Sequence, residues 1–117
     1  MSTDLTTLTL LIADLDPPAV SALIDILRER ARARAKWGPQ PHPWGNSPAI
    51  RARARSLERE CRYDLEGRHT WSAILGEEAG EALAEGNPDK VRAEVIQAGA
   101  MALAALAECP DLNGGEQ

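Results

Sequence analysis

Three glutamates lie on helical faces where apolar side chains are expected. An apolar face begins at Trp71 and Ile74, and seven residues further along the same face carries Glu78 and Glu81 instead. Glu94 interrupts the apolar stripe of the following helical pattern in the same way. Carboxylates on such a face are desolvated and repel one another, so they need cations beside them. Clustered carboxylate oxygens also suit a hard metal ion such as Mg2+ or Mn2+.

The segment between these two helical patterns predicts how the glutamates are brought together. Gly86 is typical of the residue after a helix, Asn87 can cap the next helix, and Pro88 suits its first turn. So short a connection makes the helices antiparallel and turns the three glutamates toward one another. The alternative is that the carboxylates are solvated at the rim of a helix bundle, as a single glutamate usually is.

The same residues resemble the signature of the MazG-like nucleoside triphosphate pyrophosphatases, an all-α family with E-x-x-E on one helix and E-x-x-D on the next. Glu78-Ala79-Gly80-Glu81 matches the first motif. Glu94-Val95-Ile96-Gln97 matches the second, except that Gln97 stands where the family usually has Asp. Upstream, KWGPQPHPWG, from Lys36 to Gly45, is similar to the K-W-G-x-Q-x-H-P segment of small actinobacterial and phage members.

The resemblance implies Mg2+-dependent hydrolysis of a nucleoside triphosphate to the monophosphate and pyrophosphate, with Mn2+ as a possible substitute for Mg2+. It implies that Glu78, Glu81 and Glu94 are both catalytic residues and metal ligands. Gln97 would be a weaker fourth ligand, because an amide oxygen carries no net charge. Lys36 would neutralise phosphate charge.

Two rival functions remain open. Gln97 also suits a catalytically weakened protein on the same fold that binds nucleotide as a sensor or to sequester it. The arginines of the first half suggest nucleic-acid binding, but the net charge of −5 and the lack of a recognised DNA-binding motif argue against it.

The segment from Trp37 to Pro48 is predicted to be an ordered loop, because it is rich in proline and glycine and holds two tryptophans. In one interpretation, Trp37 and Trp44 roof the helix bundle. In the other, one of the two stacks on a nucleobase, and the resemblance implies that this residue is Trp37. Gln40 or His42 then contacts the polar edge of the base or a phosphate.

The elements that position these residues are predicted to be helical throughout. The chain is rich in alanine, leucine and arginine, has no phenylalanine, and repeats apolar residues at helical spacing. We expect an all-α bundle of four or five helices, with one domain over residues 1–109 and a disordered tail over 110–117. Residues 4–15 suit a short amphipathic helix, although the alternation of Leu8, Leu10 and Ile12 also suits a strand.

Two further helices precede the glutamates. Asp16, Pro17 and Pro18 predict the start of the first, and its inward residues are Val20, Leu23, Ile24 and Leu27. Ser47 and Pro48 predict the start of the second, which runs to about Glu66 with Ile50, Ala54, Leu57 and Cys61 on its inner stripe. The arginines on both helices lie on solvated faces or form a binding surface.

The last helix has no charged residue from Val95 to Ala107 and is surrounded by small side chains. A helix that is apolar all round is buried all round, so a second subunit is predicted to complete its burial, as a homodimer or homotetramer. Charge is uneven along the chain: residues 1–68 carry eleven basic and nine acidic residues, and residues 69–117 carry two and nine. An acidic metal site beside an arginine-rich half suits a phosphorylated ligand.

Other classes of protein are disfavoured by the sequence. No stretch approaches the roughly 20 apolar residues of a membrane span, and residues 1–16 lack the features of a signal peptide, so we expect a cytoplasmic protein. The spacing of Cys61 and Cys109 suits neither a metal site nor a disulfide framework, which predicts buried, reduced thiols. His69 is predicted to be a surface or capping residue rather than a base.

Overall fold

A computed structural model describes residues 4–45 and 47–113, and all the regular secondary structure in these residues is helical. The predicted all-α class is therefore confirmed, and the strand alternative for residues 4–15 is not adopted. The five helices are α1 (Leu5–Ala13), α2 (Pro17–Trp37), α3 (Pro48–Gly67), α4 (Trp71–Ala84) and α5 (Pro88–Glu108).

Polar side chains cap the helices at the residues that the sequence indicates. The side chains of Asp16, Ser47 and Thr70 accept hydrogen bonds from backbone N–H groups three residues later, at 3.0, 3.2 and 3.3 Å. Asn87 accepts the N–H of Asp89 at 2.9 Å in the same role. These bonds satisfy donors that have no partner inside a helix, which is why the predicted starts are correct.

Two helices end close to, but not at, the residues that the sequence suggests. α2 continues through Trp37, so the loop begins at Gly38, whose φ of 72° ends the helix. α4 ends at Ala84, and Gly86 is not the left-handed cap residue that the sequence suggested, because Glu85 already has extended backbone. The carboxylate of Glu85 instead accepts the N–H of Asn87 at 2.9 Å and stabilises the turn.

The described residues fall into two compact units. Unit 1 contains residues 4–40 and 106–113, and unit 2 contains the remainder up to residue 105. The single domain expected over residues 1–109 stays a prediction. Of the predicted disordered tail, residues 110–113 form a turn in which the N–H groups of Leu112 and Asn113 bond to the carbonyl of Cys109. Residues 114–117 lie outside the described part of the chain.

Close packing of α3 against α4 forms the centre of unit 2. A Cβ added at Gly80 would lie 2.9 Å from the carbonyl oxygen of Ala54 and 3.0 Å from the backbone nitrogen of Glu58. A Cβ at Gly76 would overlap the Cys61 sulfur. The helices are therefore antiparallel, since later residues of α3 meet earlier residues of α4. The two glycines permit this approach, although each costs helix stability of about 1 kcal/mol relative to alanine.

The buried residues are smaller than the predicted core. Among the described residues, no buried apolar residue is larger than cysteine; the buried apolar set is Ala22, Ala54, Cys61, Ala73, Ala82, Ala105 and Ala107. Several residues predicted to face inward are more than a third exposed, namely Leu5, Leu8, Ile24, Leu27, Ile50 and Leu57. Periodicity located the helices, but the close contacts are made by alanine and glycine, which leave the larger side chains at the margins.

Two further predictions concern the chain as a whole. None of the helices in residues 4–45 and 47–113 is long and apolar enough to cross a membrane. Both cysteines are free thiols, as predicted; Cys61 is buried, whereas Cys109 is only half-buried.

Candidate metal centre

The structure brings Glu78, Glu81 and Glu94 together. One carboxylate oxygen from each lies within 4.8 Å of the other two. Glu78 and Glu81 are three residues apart on α4 and share one face. The three-residue connection after α4 reverses the chain, so that Glu94 of α5 returns to that face, as the spacing predicted.

Two oxygens of this cluster are buried and have no partner. Glu78 Oε2 and Glu94 Oε2 are inaccessible to solvent, and neither forms a hydrogen bond within the described residues. Burying a carboxylate oxygen without a hydrogen-bond donor costs folding free energy, because its hydrogen bonds to water are lost and none replaces them. The interpretation of the glutamates as solvated rim residues does not account for these two oxygens, whereas a bound cation would.

Burial and mutual repulsion also alter the acidity of the cluster. Burial raises the pKa of Glu81 from 4.5 to about 7, with further increases from the charges of Glu78 and Glu94. Burial likewise raises the pKa of Glu78, and the neighbouring charges of Glu77 and Glu94 add to this effect. Both shifts have the same physical origin: negative charge is gathered where solvent screens it poorly.

Three residues that the sequence analysis did not select adjoin the cluster. Arg62 of α3 donates from Nη2 to Glu58 at 2.6 Å and from Nε to Glu77 of α4 at 3.1 Å. The side chains of both glutamates are only 20% exposed. The available signal for Glu58 was its position four residues after the buried Ala54, which places it on the inner stripe of α3.

A cleft of about 620 Å³ opens beside the cluster. Its charged lining consists of Arg55, Glu58, Arg59, Glu81, Glu85 and Glu94. The cleft therefore combines four carboxylates with two guanidinium groups and could hold metal ions together with an anionic ligand.

Gln97, the predicted fourth ligand, lies on α5 three residues after Glu94 and is exposed. It is not among the residues that line the cleft. Its role as a ligand stays a prediction.

The predicted substrate-binding residues are divided between the two units. Trp37 and Gln40 of unit 1 line one small pocket of about 230 Å³, and Lys36 Nζ lies 4.9 Å from the centre of the Trp37 ring. His42 belongs to unit 2 and is exposed. Trp37 and Trp44 are 63% and 49% exposed. Both interpretations of the tryptophans, as a roof over the bundle and as a stacking surface for a nucleobase, stay predictions.

No protein-family model matches this sequence, and no curated protein or solved structure matches it either. The resemblance to MazG-like proteins therefore rests on the motif residues of the sequence alone.

Proposed function

We propose that this protein is a Mg2+-dependent nucleoside triphosphate pyrophosphohydrolase of the MazG-like type. The observation that carries the proposal is the convergence of three carboxylates within 4.8 Å, two of which have a buried oxygen without a partner in the described residues. Oxygen donors of this kind fit Mg2+ or Mn2+. Glu78, Glu81 and Glu94 would hold the ion, and Gln97 would contribute weakly.

The proposed reaction transfers the α-phosphorus of the nucleotide to water. A new bond forms between that phosphorus and the water oxygen, the bond to the oxygen bridging to the β-phosphorus breaks, and pyrophosphate leaves with the bonding electrons. A bound Mg2+ would neutralise phosphate charge and make a nearby water more acidic. A glutamate of the cluster accepts the proton released by the attacking water.

The surrounding residues keep this concentration of negative charge in place. Arg62 pairs with Glu58 and Glu77 and so neutralises the two carboxylates that the cluster does not use. Gly80 allows α3 to come close enough to α4 for this pairing. We assign Lys36, Trp37, Gln40 and His42 to substrate binding on the resemblance alone.

A second function is a nucleotide-binding protein without turnover, a sensor or a sequestering protein. Gln97 favours it, because an exposed amide replaces the acid that the family usually places one turn after Glu94. The same cleft and cluster would then retain a metal-bound nucleotide without hydrolysing it.

Pyrophosphate release from a panel of canonical and modified nucleotides, with Mg2+ or Mn2+, tests the proposal. Wild type should release pyrophosphate only with metal, and Glu81→Gln should lower kcat by on the order of 10²-fold or more. Glu60→Gln is the matched control, because Glu60 is exposed on α3 and lies outside the cluster. Tight nucleotide binding without pyrophosphate release would favour the second function.

The metal can be tested without turnover. An ion that binds only the folded protein raises its melting temperature, so Mg2+ or Mn2+ should stabilise wild type and Glu60→Gln but not Glu81→Gln. A wild-type melting temperature that does not respond to either metal would contradict the site.

We further propose that the protein self-associates through α5, as a homodimer or homotetramer in the cytoplasm. In support, Val95 and Ile96 are 41% and 54% exposed in the single chain, and Gly99 and Ala100 beside them are also exposed. The end of the helix needs no second copy, because Ala105 and Ala107 are already buried. The proposed interface is therefore the exposed apolar part of residues 95–100.

A further inference from the structure

Four arginines follow one another along α3 at helical spacing: Arg51, Arg55, Arg59 and Arg62. Their environments differ. Arg62 is engaged by acidic side chains, because its guanidinium bridges Glu58 and Glu77. The two arginines that line the cleft, Arg55 and Arg59, are not engaged in this way.

The cleft arginines have almost no partners although four carboxylates line the same cleft. The guanidinium of Arg55 makes no hydrogen bond or ion pair among the described residues, and that of Arg59 makes one hydrogen bond, to the hydroxyl of Ser56 at 3.2 Å. Each guanidinium has five N–H donors in a planar fork. Most of these donors are free for a ligand, whereas those of Arg62 already hold Glu58 and Glu77.

Arg51 lies one turn before Arg55 in the same row on α3. Its Nε is buried and unpaired within the described residues. Its Nη1 lies 3.2 Å from the position that a Cβ at Gly86 would take, and Gly86 lines the cleft. A buried guanidinium nitrogen without an acceptor is costly, and Glu85, although it lines the cleft next to Gly86, does not supply that acceptor.

The cleft thus has opposite chemical requirements along its length. The cluster of Glu78, Glu81 and Glu94 requires cations. The buried Nε of Arg51 lacks an acceptor, and the exposed guanidinium groups of Arg55 and Arg59 offer planar, bidentate donors that phosphate oxygens can accept from. A metal-bound polyphosphate meets both requirements in one molecule, since its metal faces the carboxylates and its remaining oxygens face the arginines.

We propose that Arg55 and Arg59 bind the phosphate chain of the metal-bound ligand in this cleft, and that Arg51 supports its end beside Gly86. The ligand class is a polyphosphate chelated by a divalent cation. This inference rests on the proposed function, because it takes the glutamates to be metal ligands. It assigns phosphate binding to α3, in addition to the Lys36 that the sequence resemblance selected.

Calorimetric titration with magnesium tripolyphosphate, in saturating free Mg2+, tests this assignment without a base or any turnover. The double variant Arg55→Gln/Arg59→Gln should bind tripolyphosphate at least about tenfold more weakly than wild type, because charge-assisted hydrogen bonds are lost. The matched control is Arg34→Gln/Arg53→Gln, which removes the same charge from exposed positions outside the cleft. This control should bind within about twofold of wild type, since it keeps all the guanidinium donors of the cleft.

Direct binding of Mn2+, measured from the electron paramagnetic resonance signal of the free ion, tests the glutamate site separately from the arginines. The cleft variant should bind Mn2+ like wild type. If it also binds tripolyphosphate like wild type, or if it loses Mn2+ binding, Arg55 and Arg59 do not have the proposed role. If wild type binds Mn2+ but no tripolyphosphate, the polyphosphate assignment is wrong. If wild type binds no Mn2+, the proposed function fails, and this assignment fails with it. If the double variant does not fold, the single variants Arg55→Gln and Arg59→Gln are titrated in its place.

Discussion

Charged side chains in unit 2 are better covered than leucines in unit 1. The side chains of Glu58 and Glu77 are each 20% exposed, whereas Leu5 and Leu10, as whole residues, are 74% and 64% exposed. This reverses the usual distribution, in which acidic residues are solvated and large apolar residues are covered. The covered glutamates have a partner inside the chain, since Arg62 pairs with both of them.

In unit 2 the missing component is positive charge. Arg62 compensates Glu58 and Glu77, but the buried oxygens of Glu78 and Glu94 have no partner among the described residues. In unit 1 the missing component is cover, since α1 has no buried residue. In unit 2, the exposed apolar residues of α5 likewise lack a covering surface. The comparison suggests a ligand for the carboxylates and a second subunit for part of the apolar surface.

The largest expected effect is on assembly. Ile96→Asp should dissociate the proposed oligomer, because burying an unpaired charge at the proposed α5 interface costs about 3 kcal/mol or more. Leu10→Asp is the matched control, since it places the same charge at an exposed leucine of α1, 64% accessible against 54% for Ile96. Light scattering should show a lower mass for the first variant only. Dissociation by Leu10→Asp alone would move the interface from α5 to α1.

A second prediction concerns the close approach that gathers the carboxylates. Gly80→Ala should destabilise the protein by about 1–3 kcal/mol, because the added methyl group meets backbone atoms of α3 that cannot move cheaply. Gly67→Ala meets no atom within 4 Å, and there the gain in helix propensity should change stability by no more than about 1 kcal/mol. Urea denaturation measures both, and equal effects would show that Gly80 is not packed as described.

The helices and the glutamate cluster could be predicted from the sequence because both depend on local spacing. Caps such as Asp16 and Ser47 are local, and the turn after α4 brings Glu94 back over a short stretch of chain. Local spacing also places Glu78 and Glu81 on one face of α4. Predicting the cluster therefore required only one further inference, that the chain reverses between α4 and α5.

The remaining features depend on which helices come close, and spacing does not encode that. Glu58 lines the cleft beside the cluster because Gly80 lets α3 approach α4, so it was not identified among the many glutamates. The inward faces predicted from Leu5, Ile24 and Leu57 were wrong for the same reason. Hydrophobicity identifies a residue that favours burial, but small residues decide where two helices can meet.

A third prediction uses the titration of the cluster without metal. Glu81 has its pKa raised from 4.5 to about 7, so between these values the folded protein holds a proton that the unfolded chain has released. Stability should therefore fall as the pH rises from about 4.5 to about 7 and then level off. Because the site is partly open to solvent, we expect a loss of about 1–2 kcal/mol.

Denaturation in the presence of a chelator, at a series of pH values, measures this loss. Glu81→Gln should be less sensitive to pH over that range, because the amide resembles the protonated acid and does not titrate. It should also be at least as stable as wild type at pH 7.5. An identical pH dependence in the two proteins would show that Glu81 is not the group that couples protonation to folding.

The smallest effect is expected at Gln97, and it separates the two proposed functions. Gln97 is exposed one turn after Glu94, where an amide gives a metal less charge compensation than a carboxylate does. If the protein is a working pyrophosphohydrolase adapted to the amide, Gln97→Asp and Gln97→Glu should leave kcat equal or lower it, by less than about tenfold. If it is a binding protein, wild type should bind nucleotide without turnover, and pyrophosphate release restored by either acid would identify Gln97 as the residue that silences the site. Gln97→Asn is the control, because it changes length without adding charge. Tight nucleotide binding with no turnover in wild type or in either acid would rule out the enzyme and leave the binding protein.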